Sequence, residues 1–295
     1  MRLPLGTPML VGAVCIFTCA AADFRVDSNL VLIPVSVTDA RNHAITGLGP
    51  AAFRIFDDKA EQKVVQFARE DAPLSVGIVF DLSGSMRDKI RESREAVDQF
   101  LRAANSEDEF FLVEFSNRAS LTVPFTTDAQ DIRDRLRQAE PHGKTALLDG
   151  LQVALDSMKQ ARHTRRALLI ISDGGDNDSR YTQSELGKRL RESDLWIYAM
   201  GIYGRQTAFL PEQAGAGKQL LETLSEETGG RHYAIERVAD LPAIAAQIGV
   251  ELRNQYVLGF QPHAPRQDGR YHHVQIKLTE ASHANLVFRR GYYGR

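Results

Sequence analysis

The 295-residue chain places Asp81, Ser83 and Ser85 at alternate positions directly after an apolar run, in the stretch VGIVFDLSGSM (76–86). Two further polar clusters stand in comparable places: Thr145 in HGKTALLDGL (142–151) and Asp173 in LLIISDGGDNDS (168–179). Together they supply two carboxylates and three hydroxyls, all hard oxygen donors. Magnesium takes oxygen ligands in near-octahedral geometry and is usually held by one or two carboxylates with some water retained. No histidine or thiolate belongs to the set, which disfavours zinc. Neutral hydroxyls leave a bound ion electron-poor, so an open coordination position would attract a carboxylate from elsewhere. A lone D-x-S-x-S carries little weight, because Asp and Ser also cap helices and make turns. Three such clusters, in order on one α/β pattern, carry more.

The elements that must position these residues are legible as changes of rhythm. From Ser75 the chain alternates strand and helix. SVGIVF (75–80), FFLVEF (110–115), LTVPF (121–125), ALLIIS (167–172) and LWIYAMGI (195–202) read as strands, mostly continuous apolar runs of the kind buried on both faces. Met86, Ile90, Val97, Phe100, Leu101 and Ala104 recur at helical spacing, as do Leu147, Leu148, Leu151, Ala154, Leu155 and Met158. Helices are expected at 183–192, near 220–227 and near 241–252, with a loop through Gly204, Pro211, Gly215 and Gly217 and a strand HYAI at 232–235. This predicts a doubly wound, mostly parallel α/β sheet flanked by helices. Such sheets bind ligands at the carboxyl ends of their strands, where the three clusters fall. Before and after it the chain is β. Val31, Ile33, Val35 and Val37 alternate, DARNH (39–43) and DDKAEQ (57–62) read as turns, and YVLGF (256–260), HVQIKL (273–278) and NLVFRRGYY (285–293) read as strands. Neither end has many strands alone, so both are expected to join in one small β module.

Bulk properties narrow the class. Hydrophobic residues make up 43% and charged residues 25%, ordinary for a globular protein, and the net charge of −2 gives no basic excess for nucleic acid. Arg2, the apolar run 9–17 and Ala20-Ala21-Ala22 form the pattern of a cleaved secretory signal over 1–22. That run is too short to span a bilayer. Both cysteines, Cys15 and Cys19, fall inside it, so no disulfide or thiolate site is expected after cleavage. The expected organisation is a signal peptide at 1–22, a β segment at 23–72, the α/β unit at 73–253, and a β segment at 254–295 packing with the first.

Asp81-Leu-Ser83-Gly-Ser85, Thr145 and Ser172-Asp173-Gly174 resemble the metal-ion-dependent adhesion site of von Willebrand factor type A domains. TALLDGL (145–151), IYAMGI (197–202) and LSEETGGRHYAI (224–235) look like later elements of that fold, and the likeness covers about 73–250. The flanking β segments resemble secreted bacterial proteins related to this family. The resemblance implies that Ser83, Ser85 and Thr145 contact an ion (Mg²⁺, or Mn²⁺ or Ca²⁺) through hydroxyls, while Asp81 and Asp173 act largely through bound water. The sixth position would go to water or to an acidic residue of a protein partner. It implies a secreted or periplasmic, cell-envelope binding module of adhesion type, with no catalytic residue and no transmembrane span in the mature chain. The alternatives are a structural part of an envelope assembly and a magnesium-dependent hydrolase, for which His142 is the only nearby base. One departure concerns the position before the threonine, commonly small and here Lys144, with His142 close by. A cation there would weaken metal binding by repulsion or help attract an acidic ligand.

Other polar residues have plainer expected roles. Asp149 suits the helix dipole or solvent. Asp176 and Asp178 suit a solvated loop, and RHTRR (162–166) a solvated connection. His272 and His273 are adjacent on a strand and must face opposite sides.

Overall fold

The computed structural model describes residues 30–70, 72–203, 211–262, 268–279 and 283–294. The expected leader, 1–22, lies outside them. Strand β5 (Leu74–Asp81) is apolar from Leu74 to Phe80 save for Ser75 and Gly77, and all eight of its residues are buried. It forms the middle of a six-stranded sheet with β6 (Glu109–Phe115), β7 (Ala119–Thr126), β8 (Arg165–Ser172), β9 (Trp196–Ile202) and β10 (Arg231–Ile235), in the order β10-β9-β8-β5-β6-β7. Every pairing is parallel except that of β7, an antiparallel edge. The chain leaves β5 toward β6 on one side and later returns through β8 on the other. The switch point of the sheet therefore lies between the carboxyl ends of β5 and β8, where an open α/β sheet offers a crevice.

Helices cover both faces, because apolar strands of a parallel sheet cannot present either face to water. On one face, α1 (Ile90–Arg102), α2 (Ala129–Gln138) and α6 (Leu241–Arg253) bury residues such as Phe100, Ile132 and Ile248 against Val76, Ile78 and Phe80. On the other, α3 (Leu147–Met158), α4 (Gln183–Glu192) and α5 (Pro211–Thr228) pack Leu151, Leu186 and Leu224 against Val79 and Ile170. Trp196, the sole tryptophan, sits in β9 at 8% exposure, a core residue. Gly77 faces Phe111, and a Cβ there would stand 2.2 Å from that ring and 2.6 Å from Leu168. Both neighbours are themselves fully buried, so neither can step aside. Gly77→Ala is expected to lower stability by about 1–3 kcal/mol, read from the urea midpoint. An unchanged midpoint would show that the Phe111 pocket repacks freely.

The segments from the two ends form a small β sandwich. One sheet runs β13-β1-β11-β4, built from β1 (Val31–Thr38), β4 (Gln66–Glu70), β11 (Gln255–Phe260) and β13 (Asn285–Phe288). The other runs β14-β12-β2-β3, from β2 (Phe53–Asp57), β3 (Ala60–Gln62), β12 (Tyr271–Leu278) and β14 (Gly291–Tyr293). Ile33, Val35, Val37, Tyr256 and Phe260 meet Phe53, Ile55, Val274 and Ile276 between them. The expected joining of the two ends is thus observed.

Three local expectations change, and one helix was not foreseen. The stretch 285–293 is two strands in two sheets, because the chain turns at Arg289 and Arg290. The 57–62 turn is only Asp58 and Lys59, both with positive φ, as a two-residue hairpin requires, and 60–62 is strand. Helix α5 begins at Pro211 and takes in Gly215 and Gly217, which read as loop residues, since proline suits a first helical turn. Helix α2, between 125 and 145, had no strong stripe because only Ile132 and Leu136 are buried along it.

Candidate metal centre

The five expected oxygen donors lie on the loops that leave β5 and β8 and on the loop that enters α3. Asp81 ends β5 and is fully buried. Its Oδ1 accepts the backbone N–H of Ser83 at 2.7 Å and its Oδ2 accepts the Ser172 hydroxyl at 2.6 Å. Ser83 stands at the N-cap of the 3-10 turn Gly84–Lys89, yet its side chain makes no capping bond. Its hydroxyl instead lies 3.0 Å from that of Ser85. Capping therefore does not account for either serine. Asp173 follows β8, and a Cβ placed on Gly175 would lie 3.7 Å from its Oδ1 and 3.9 Å from Thr145 Oγ1. The two oxygens thus face the same small volume.

Backbone bonds hold these loops together. Leu82 donates to Phe115, His142 to Leu82, Gly84 to Gly143, Ala146 to Ser116, and Asn177 to Thr145. Asn117 Oδ1 accepts Lys144 N at 2.7 Å, and Asn177 Oδ1 accepts Thr145 N at 3.0 Å. Gly143, at φ +73°, has no room for a side chain beside Asn117. Thr145 does not cap α3. The Ser179 hydroxyl accepts Leu148 N and Asp149 N at 3.1 and 3.2 Å, leaving the threonine outside that role.

Electrostatically the site is crowded with acid. Burial, and then the charge of Asp173, push the Asp81 carboxyl up to about 7. One cation answers this charge directly. Lys89 Nζ lies 3.1 Å from Asp173 Oδ2, and each side chain is only 9% exposed. Lys144 is an exposed residue whose ammonium pairs with Asp178 at 2.9 Å. His142 is exposed, with Nε2 3.2 Å from Ser116 Oγ and Nδ1 2.9 Å from the Glu140 carbonyl. The donor chemistry fits a hard divalent cation: Asp81, Ser83, Ser85, Thr145 and Asp173 are the residues that would hold it.

Lys89 escaped the sequence reading, although it stands three residues after Met86 on the buried side of the helical repeat. A charged residue in an apolar stripe was the available signal. Other polar residues also took unforeseen places. Asp149 is buried and accepts Arg180 N, Arg180 Nε and Tyr181 N, so it meets neither solvent nor a free dipole. Asp176 is half-buried with its carboxyl raised by burial, accepting the Ser179 hydroxyl at 2.5 Å. Arg165, expected in a solvated connection, is buried and donates to the carbonyls of Ala72 and Leu252. His272 does face away from His273: it is buried between Asp58 at 2.8 Å and Asp268 at 3.1 Å. Ligand atoms of Asp57, Asp58 and His272 lie within 4.8 Å of one another.

A mostly parallel six-stranded sheet with an Asp-x-Ser-x-Ser loop at the end of its central strand is the plan of a von Willebrand factor type A domain. Residues 76–175 match the family model described as von Willebrand factor type A domain, and the chain carries a domain of that class. Among curated relatives, an uncharacterized protein of Borreliella burgdorferi is 24% identical over 186 residues, 56% of this chain and 54% of that protein. Inter-alpha-trypsin inhibitor heavy chain H4 of Sus scrofa is 29% identical over 132 residues, 41% of this chain and 14% of that one. The chain thus spans about half the length of the first relative and far less of the second. Among solved structures, a von Willebrand factor type A protein from Catenulispora acidiphila superposes with a TM-score of 0.53 at 13% identity, covering 90% of this chain and 72% of that one. Proximal thread matrix protein 1 from the mussel byssus gives 0.51 at 17% identity, covering 68% and 50%. At these identities the likeness is one of fold.

Proposed function

We propose that this chain is a secreted, non-catalytic protein-binding module whose binding depends on a divalent metal ion, Mg²⁺ first and Mn²⁺ or Ca²⁺ as substitutes. The observation that carries the reading is the gathering of Asp81, Ser83, Ser85, Thr145 and Asp173 at the switch point of the sheet. When bound there, the ion would supply an open position for a carboxylate oxygen of a partner. The chain's own residues do the rest. Asp81 is fixed by two hydrogen bonds, Ser85 stands at the exposed rim, and the interlocked loops keep the donors in place before any ligand arrives.

A cavity of about 540 Å³ opens at the far end of the strands, beside Arg165, Trp196 and Val257, and another of about 370 Å³, lined by Leu82, Ser116, Asn117 and His142, adjoins the donor loops. Near the donors, His142 and the exposed Lys144 would frame an acidic partner residue. The organisation that goes with this reading is a leader at 1–22, the binding unit at 73–253, and one β module from 23–72 and 254–295. Among the described residues, no helix is long and apolar enough to cross a membrane.

The test presents the protein to an array of acidic peptides and their glutamine-substituted copies, in Mg²⁺ and in EDTA. Binding that needs both the ion and the peptide carboxylate, and that Asp81→Ala removes, is expected. Equal binding in EDTA would overturn the proposal.

A further inference from the structure

Lys89 is the last residue of the 3-10 turn that carries Ser85 and Met86. Met86 is fully buried and Lys89 nearly so, with its backbone carbonyl accepting the Ser93 hydroxyl at 2.8 Å. The lysine is therefore anchored at both ends of its turn, with its ammonium directed into the oxygen cluster. Among the described residues, Asp173 is the carboxylate it pairs with.

We propose that Lys89 is a built-in competitor for Asp173 that ties occupation of the site by a divalent ion to the arrival of a partner carboxylate. This rests on the metal-centre reading above and deepens it. The argument is one of charge. Asp81 and Asp173 contribute two negative charges and Lys89 one positive. A divalent ion added to that set leaves a net charge of about +1 in a site screened poorly by solvent. A single carboxylate from a partner restores neutrality. Without the lysine, two aspartates already balance the ion, and nothing electrostatic calls for the partner. Lys89 thus weakens the ion held alone and strengthens it when an acidic ligand is present.

The experiment compares wild type with Lys89→Met, which keeps the buried stem and removes the charge, and with Lys89→Gln as a second neutral form. Each is titrated with Mn²⁺ by calorimetry, without and with sodium acetate as the carboxylate probe. Both variants are expected to bind Mn²⁺ about tenfold tighter than wild type or better, and acetate should tighten binding in wild type but not in the variants. Melting in EDTA should fall in the variants, because Asp173 loses its partner, and Mn²⁺ should raise it more than in wild type. A merely structural lysine would lower both melts together. Equal or weaker Mn²⁺ binding by the folded variants would overturn the competition while leaving the metal centre intact. No Mn²⁺ binding by any folded form, with or without acetate, would overturn the metal centre and this inference with it.

Discussion

Asp81→Asn is expected to weaken the proposed divalent-ion binding by about a hundredfold or more, about 2.8 kcal/mol, and to lose part of the pH dependence of stability as well. Asparagine keeps the shape and one acceptor for the Ser83 N–H, so the loop survives while the charge goes. The pH effect has a definite sign. Burial and the charge of Asp173 push the folded carboxyl up to about 7, above its ordinary value of 3.8. Between those values the folded protein holds a proton that the unfolded chain releases. The stability from this group is therefore fully present below about pH 4 and is lost as the pH rises through about 7. In EDTA, the melting temperature of wild type should fall relative to Asp81→Asn as the pH is raised from 4 to 8. In Mg²⁺ the trend for wild type is expected to reverse, because an ion held there would bind the carboxylate and not the acid. Parallel curves for the two proteins in EDTA would mean that Asp81 is ionised throughout.

Arg231→Met is expected to cost about 3–5 kcal/mol of folding stability. Arg231 begins β10, and its Nη1 lies 3.6 Å from Glu251 Oε2. Glu251, on α6, is 2% exposed and accepts the hydroxyls of Tyr198 at 3.1 Å and Tyr233 at 2.9 Å. Burial, and then the Glu251 charge, raise both phenols, which keeps them as donors. Two neutral hydroxyls do not neutralise a buried carboxylate, so removing the guanidinium leaves the charge stranded. The same guanidinium reaches Asn42 Oδ1 and Thr38 Oγ1, fastening the β sandwich to the α/β unit. Urea unfolding of Arg231→Met beside Arg231→Met/Glu251→Gln separates the effects, the double variant recovering part of the loss. A loss below about 1 kcal/mol in the single variant would show that the tyrosines suffice.

The central strands could be read directly, because a strand buried on both faces must be apolar throughout, and β5, β8 and β9 are. Helix α4 was equally plain. Its Thr182 and Glu185 form a reciprocal cap, a purely local device. Asp81, Ser83, Ser85 and Asp173 were legible for a related reason: a polar cluster directly after such a strand has to stand at the sheet's rim. Helix α2 was not, since a charged surface helix needs only two buried residues to dock.

By itself, then, the amino-acid sequence determined the alternating strands and helices, the β character of the two ends, and the polar positions Asp81, Ser83, Ser85, Thr145 and Asp173 that the proposal uses. These follow from periodicity and local chemistry, which act over a few residues. Tertiary structure alone decided which cation enters the cluster. Lys144, adjacent to Thr145 in sequence, pairs with Asp178, whereas Lys89 reaches Asp173, 84 positions further along the chain. It likewise decided that His272 meets Asp58, that Arg165 is buried, and that one apparent strand at 285–293 serves two sheets. Pairings of this kind depend on where packing carries distant segments, and no local spacing encodes that.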